Sequence, residues 1–322
     1  MIEVCKSLRS TAVHFVVGRC GMDTKVIYLW QLMNRTVLSW IMFVALVLVW
    51  GSSFILMKHA LLGFSAIQIG AARILFATVL TLGFAWPQFK EFKKEDIPSF
   101  LVVALLGNSI PYLLFPTAVA HVPSGVVGIT NSMTPLFTLL VGLLIFGRKL
   151  NPLRALGVAI GFVGAVFLIN PFDSHSSVGQ NWPYLLLAVL AAACYGVSIN
   201  TIGDRLKHLT PRAITLFAML GASVPSVGIL AATDITGNLT GSPIMWSSLA
   251  AIAFLGMVGT SIAMVVFNRL IAMTTPLFAA STTYVIPIVA LAWGLFYGED
   301  LLFNHFVGMV TILIGVWMVN RR

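Results

Sequence analysis

Ten stretches of this chain are apolar for close to the length of a membrane-crossing helix, and no other feature constrains its fold as tightly. A helix rises about 1.5 Å per residue, so crossing about 30 Å of hydrocarbon takes about 20 mostly apolar residues. Runs of that kind lie at 37–59, 64–85, 97–119, 122–146, 152–170, 182–203, 211–233, 246–268, 275–297 and 303–320. They predict an all-α integral membrane protein with the lipid bilayer as its solvent. Charge agrees, because only 9% of the residues are charged where a soluble domain carries about 25%. That is too little for a water-facing surface, which excludes soluble enzymes, nucleic-acid binders and disordered tails. The cysteines, Cys5, Cys20 and Cys194, have no metal-ligand spacing, so no metal, cofactor or disulfide framework is expected.

Residues 1–36 read differently. Lys6, Arg9, Arg19, Lys25 and Arg35 interrupt their apolar pieces, so they are expected to form a cytoplasmic N-terminal tail and not a span. No basic stretch leads into an uninterrupted apolar core with a small-residue cleavage site, which argues against a signal peptide. An over-called start, with Met33 as the first residue, is the other reading.

The two halves resemble each other. PLFTLLVGLLIFG runs from Pro135 to Gly147 and GVAIGFVGAVFLIN begins at Gly157, while PIVALAWGLFYG runs from Pro287 to Gly298 and GMVTILIGVWMVN begins at Gly308. The glycine-to-glycine step is ten residues in both. Trp50, Gly51 and Ser53 align with Tyr195, Gly196 and Ser198 at one offset of 145. A repeat of five spans, an odd number, must be followed by an inverted copy. The expected architecture is therefore ten transmembrane helices in two inverted five-helix repeats, 37–170 and 182–320, the plan of many secondary transporters. With the N-terminus inside, 17 of the 19 Lys and Arg fall on the cytoplasmic side and only Lys58 and Arg73 do not, which places both termini in the cytoplasm of a cell (inner or plasma) membrane protein.

Trp50-Gly51-Ser52-Ser53, Arg73, Pro135, Pro287, Gly298-Glu299 and glycines Gly157, Gly164, Gly308 and Gly315 resemble, in order and spacing, the EamA-type family of the drug/metabolite transporter superfamily. The likeness covers residues 37–320. It implies two five-helix repeats and transport of small molecules. The family often has Gly-Glu after the fourth helix, whereas here Arg148 follows Gly147.

Arg73 is the sharpest single position. Nine residues from the start of its run at about 64, it lies roughly 13 Å deep, where an arginine costs ~3 kcal/mol on insertion scales and must face protein or a water-filled cavity. It reads as an anchor for a substrate carboxylate or phosphate, or as a structural arginine on helix carbonyls. Lys58, one residue inside its helix end, can snorkel to the surface. Pro135 and Pro287 break their helices and free the carbonyls of Asn131 and Thr283. Polar side chains gather beside them: Thr130, Asn131, Ser132 and Thr134, then Ser281, Thr282, Thr283 and Tyr284. Interrupted helices at corresponding places in two repeats point to a transport site, and proline kinks with back-bonded hydroxyls are the plainer alternative. Trp50 with Ser53, Asn108 with Tyr112 beside Pro111, Tyr195 with Ser198, and Asn200 complete a candidate polar lining. Trp40, Trp86, Trp182, Trp246 and Trp317 sit at span ends, as belt aromatics do. The GxxxG of Gly157 and Gly161, followed by Gly164, permits close helix contact, with the tenth helix of the same chain by default or with a second copy in a homodimer.

These features favour a secondary transporter or exporter of small metabolites working by alternating access, with amino acids or similar neutral, zwitterionic or anionic solutes as substrates. An intramembrane enzyme lacks its parts, since there is no HExxH, no GxSG and no Asp or Glu within any run. Drug-cation efflux, and a membrane scaffold or lipid scramblase-like protein, are the remaining alternatives. The first needs a buried acid that the runs do not contain.

Overall fold

The computed structural model describes residues 24–147, 152–169, 177–235, 237, 241–299 and 302–320, with the side chains of 24–34, 169, 177, 319 and 320 left aside. Cys5 and Cys20 lie outside that set, as does the stretch around Arg148. The chain divides into a short N-terminal unit, Met1–Ile41, and a main unit, Met42–Arg322. The site described below belongs to the main unit, as do the helices apart from the first part of α1.

Among the described residues every regular element is helical. The main helices, in chain order and leaving out short turns of helix, are α1 (Thr24–Ala60), α2 (Ala66–Ala85), α3 (Ile97–Ala104), α4 (Ile110–Val119), α5 (Ser124–Asn131), α6 (Thr134–Leu144) and α7 (Pro152–Ile169). The second half continues with α8 (Trp182–Arg205), α9 (Pro211–Ala232), α10 (Pro243–Gly256), α11 (Ala263–Met273), α12 (Pro276–Ala280), α13 (Thr282–Phe296) and α14 (Phe303–Asn320). A π-turn, Leu105–Ser109, joins α3 to α4 and another, Met257–Ile262, joins α10 to α11.

Eight of these helical stretches are long and apolar enough to cross a membrane, and two shorter apolar helices, Pro152–Leu168 and Phe303–Met318, correspond to the runs 152–170 and 303–320. The expected boundary at residue 37 is not a helix boundary, because α1 is continuous from Thr24. Charges such as Arg35 end the part of a helix that can sit in hydrocarbon; they do not end its backbone hydrogen bonding, which continues in water.

Small residues set how closely the helices pack. α14 lies along α7, and a Cβ added at Gly315 would collide with the backbone of Gly157 and Gly161, as one at Gly164 would with the backbone at Ile312 and Gly308. The GxxxG face is thus occupied by the last helix of the same chain. Gly147 and Gly298 close α6 and α13 with φ of 62° and 69°, the left-handed termination that glycine adopts without a Cβ penalty.

Candidate functional site

The fourth-helix region of each half is broken, but not in the same way. α5 ends at Asn131 and α6 starts at Thr134, so Pro135 falls in a first helical turn, where its missing N–H costs little. The Thr134 hydroxyl donates to the Asn131 carbonyl at 2.8 Å, partnering the oxygen that the proline frees. Pro287 instead lies inside α13, and the break is six residues earlier at Ser281, between α12 and α13. Most hydroxyls beside the prolines donate to a carbonyl three or four residues earlier: Thr130 to Val126, Ser132 to Ile129, Ser281 to Phe278, Thr282 to Ala279 and Thr283 to Ala280. The plainer back-bonding reading therefore describes them, and Asn131, Thr134 and Thr283 are the members of the two groups that reach the cavity.

That cavity lies between α1, α2, α4, α5, α6, α8, α11 and α13 and offers about 80 Å³ to the centres of water-sized molecules. One water needs about 10–15 Å³ on that measure, so several waters or a small solute fit. Trp50, Ser53, Arg73, Tyr112, Asn131, Tyr195 and Ser198 line it together. Asn108 and Tyr284 do not. Asn108 is fully buried in the first π-turn, its amide donating to the Val103 carbonyl at 2.9 Å, and it is the neighbouring Gly107 that faces the cavity. Tyr284 packs against the apolar core. Asn200 is also outside the lining; its amide donates to Thr138 and Gly196 carbonyls, both at 2.8 Å, and clasps α8 to α6. Phe54, Phe115, Met264 and Phe267 line the cavity without having stood out in sequence, because an aromatic or methionine among so many apolar residues carries no local signal.

Arg73 is 4% exposed. Its Nε donates to the Thr260 hydroxyl at 2.7 Å, one Nη donates to the Gly259 carbonyl at 3.3 Å, and the guanidinium lies 4.2 Å from the Tyr112 ring centre. The other Nη makes no hydrogen bond among the described residues. No carboxylate there is within ion-pair distance of it, and none lines the cavity. The second π-turn supplies this anchorage, since Gly259 and Thr260 both lie in it and the Gly259 carbonyl also accepts from Trp50 Nε1 at 2.9 Å. A π-turn alters the local ladder of carbonyls, and such turns recur at functional sites. The structural reading of Arg73 thus describes its Nε and one Nη, while the other edge of the guanidinium is left toward the cavity.

Lys58 does not simply snorkel. Its ammonium meets Glu299 Oε1 at 2.7 Å, and the same carboxylate accepts from Ser124 N at 3.0 Å, Ser124 Oγ at 2.7 Å and Gly125 N at 3.0 Å, the first residues of α5. Burial pushes the Glu299 carboxyl up, but the ammonium and the bonds from Gly125 and Ser124 outweigh it and hold it below its ordinary value.

Against this geometry, the family model of the EamA-like transporters matches residues 38–170 and again 182–321. A relative from Escherichia coli (strain K12), "Uncharacterized inner membrane transporter YedA", is 27% identical over 286 residues, which is 86% of this chain and 88% of that one. A second from the same organism, "Probable amino-acid metabolite efflux pump", is 24% identical over 287 residues, 84% of this chain and 91% of its own. A crystal structure 14% identical in sequence superposes with a TM-score of 0.61 over 88% of this chain and 96% of its own, a likeness of fold alone.

Proposed function

The chain belongs to the EamA-like transporter family, and on that premise we propose that it exports small carboxylated metabolites, amino acids foremost, through the cavity around Arg73. It is a multi-pass membrane transporter and not an enzyme. Within that reading the chain has ten spans in two inverted repeats, 37–170 and 182–320, with both termini in the cytoplasm. Alternating access at the repeat interface carries the solute across. Three paired features support the repeats: the π-turns after α3 and α10, the left-handed glycines after α6 and α13, and the close approaches of Gly51 to Val289 and of Gly196 to Phe137.

One observation carries the substrate class. A buried guanidinium faces the cavity with one Nη uncommitted and, among the described residues, no acid within ion-pair distance of it. A carboxylate placed there gains a charge-assisted hydrogen bond, whereas a cation would lack a counter-charge and meet a like charge. The relative named for amino-acid metabolite efflux is consistent with this class. In proteoliposomes of the purified chain, outward flux of amino acids is expected without a pH gradient. It should fall more than tenfold in Arg73→Ala and recover in part in Arg73→Lys, at equal membrane abundance. Strictly proton-dependent efflux of a quaternary ammonium dye, or full transport in Arg73→Ala, overturns the assignment.

A further inference from the structure

Glu299 and Lys58 are 241 positions apart in sequence, and neither takes part in the cavity lining. Lys58 follows a lining residue directly in sequence. Met57, beside Lys58, lines the cavity and is 2% exposed, whereas the Lys58 side chain is 46% exposed. Ser53 and Asn131, both in the lining, lie five and seven residues along their helices from Lys58 and Ser124, or about 8 Å and 11 Å deeper. The ion pair and the start of α5 thus lie over the cavity at one membrane face. The Glu299 side chain is 1% exposed, and its carboxylate collects four donors at 2.7–3.0 Å from two elements of the other half of the chain.

We propose that the Lys58–Glu299 pair is the latch that closes the cavity at this face, made when the transporter is shut there and broken when it opens. The proposal rests on the transport reading of the cavity. Its chemistry suits a latch: the Lys58 ammonium is half-exposed and is taken up by water when it leaves the carboxylate, so it can release. The carboxylate keeps its three bonds to Ser124 and Gly125, so it is not left unpaired when the lysine leaves. Opening then costs one contact between α1 and the end of α13 while the capped start of α5 stays intact. The corresponding position in the first half is Arg148, which cannot play the acidic part, so the latch belongs to one face only.

The test is cysteine accessibility of the full chain. With Cys5, Cys20 and Cys194 replaced by alanine, Ser53→Cys reports entry of a membrane-impermeant methanethiosulfonate, added to spheroplasts for one face and to inverted vesicles for the other. Lys58→Gln, which leaves the Ser124 and Gly125 bonds in place, should raise the labelling rate at least fivefold from the Lys58 face and not from the opposite face. Glu299→Gln should do the same. An unchanged rate in Lys58→Gln overturns the latch, and labelling from the opposite face in that experiment leaves the cavity reading standing. A rise in Glu299→Gln alone assigns the effect to the start of α5 and also overturns the latch. A cysteine unreactive from both faces in every variant overturns the cavity reading, and the latch with it.

Discussion

At the scale of single residues, charge was legible and pairing was not. An arginine well inside an apolar run must be buried and must find oxygen atoms, and Arg73 does so with Thr260 and Gly259. Its partners could not be named from sequence, because they lie in a π-turn that no residue pattern announces. Lys58 reaches solvent as its place near a helix end implies, but nothing near it in sequence points to Glu299 as its partner. That pair has a pH consequence of definite sign. Lys58 and His59 are the titratable groups at the end of α1, and His59 is engaged with Ser247 at 3.1 Å; α5 carries no titratable side chain. The ionised Glu299 makes the bonds and its pKa is lowered, so its contribution is complete above the ordinary glutamate value of about 4.3 and is lost as pH falls through the lowered one. Labelling of Ser53→Cys from the Lys58 face, taken relative to the rate in the Lys58→Gln background at the same pH because the reacting thiolate itself grows scarce in acid, should be flat across neutral pH and rise only in acid below that ordinary value. A rise centred near neutrality contradicts this assignment.

At the scale of elements, length and hydropathy found the helices, and small residues foretold their contacts. The runs at 152–170 and 303–320 correspond to α7 and α14, which pack through Gly157, Gly161, Gly164, Gly308 and Gly315. Sequence left two partners open for the GxxxG because a small-residue face specifies closeness and not identity. The break beside Pro135 was legible, and the one expected at Pro287 lies at Ser281 instead. That difference was not legible, because Thr134 can partner the carbonyl that Pro135 frees, whereas α13 carries Pro287 in its interior. The seam gives a prediction at its own scale. Gly315→Leu would force a side chain into the backbone of Gly157 and Gly161, and overpacking of this kind costs about 1–3 kcal/mol. Thermal unfolding in detergent should begin several degrees lower. Gly228→Leu, where an added Cβ meets nothing within 4 Å, should shift it much less, and equal shifts in the two variants would remove the seam from the account.

For the whole molecule the question is whether α7 crosses the membrane, since that fixes the face of every later loop. Four contacts between distant segments bear on it. Lys58 meets Glu299 and His59 meets Ser247 near one end of the helices; Asp96 meets His208 at 3.0 Å, and Glu91 accepts from Thr210 N at 2.9 Å, near the other. If α7 crosses, an even number of spans separates the partners in every one of these pairs, so both lie on one face. If it does not, each pair is separated by an odd number and would have to join opposite faces across about 30 Å of hydrocarbon, which contacts of about 3 Å cannot do. The charge pattern leads to the same choice independently: without that crossing, Arg205, Lys207, Arg212 and Arg269 would move outside against the positive-inside rule. Both arguments favour ten spans, and the charge pattern alone favours the N-terminus in the cytoplasm. A reporter fused after Ser174 should therefore read outside and one fused after Lys207 inside. The opposite pair of readings is the pattern of a chain in which α7 stays on one side, and it would end the inverted-repeat model along with the latch placed on it.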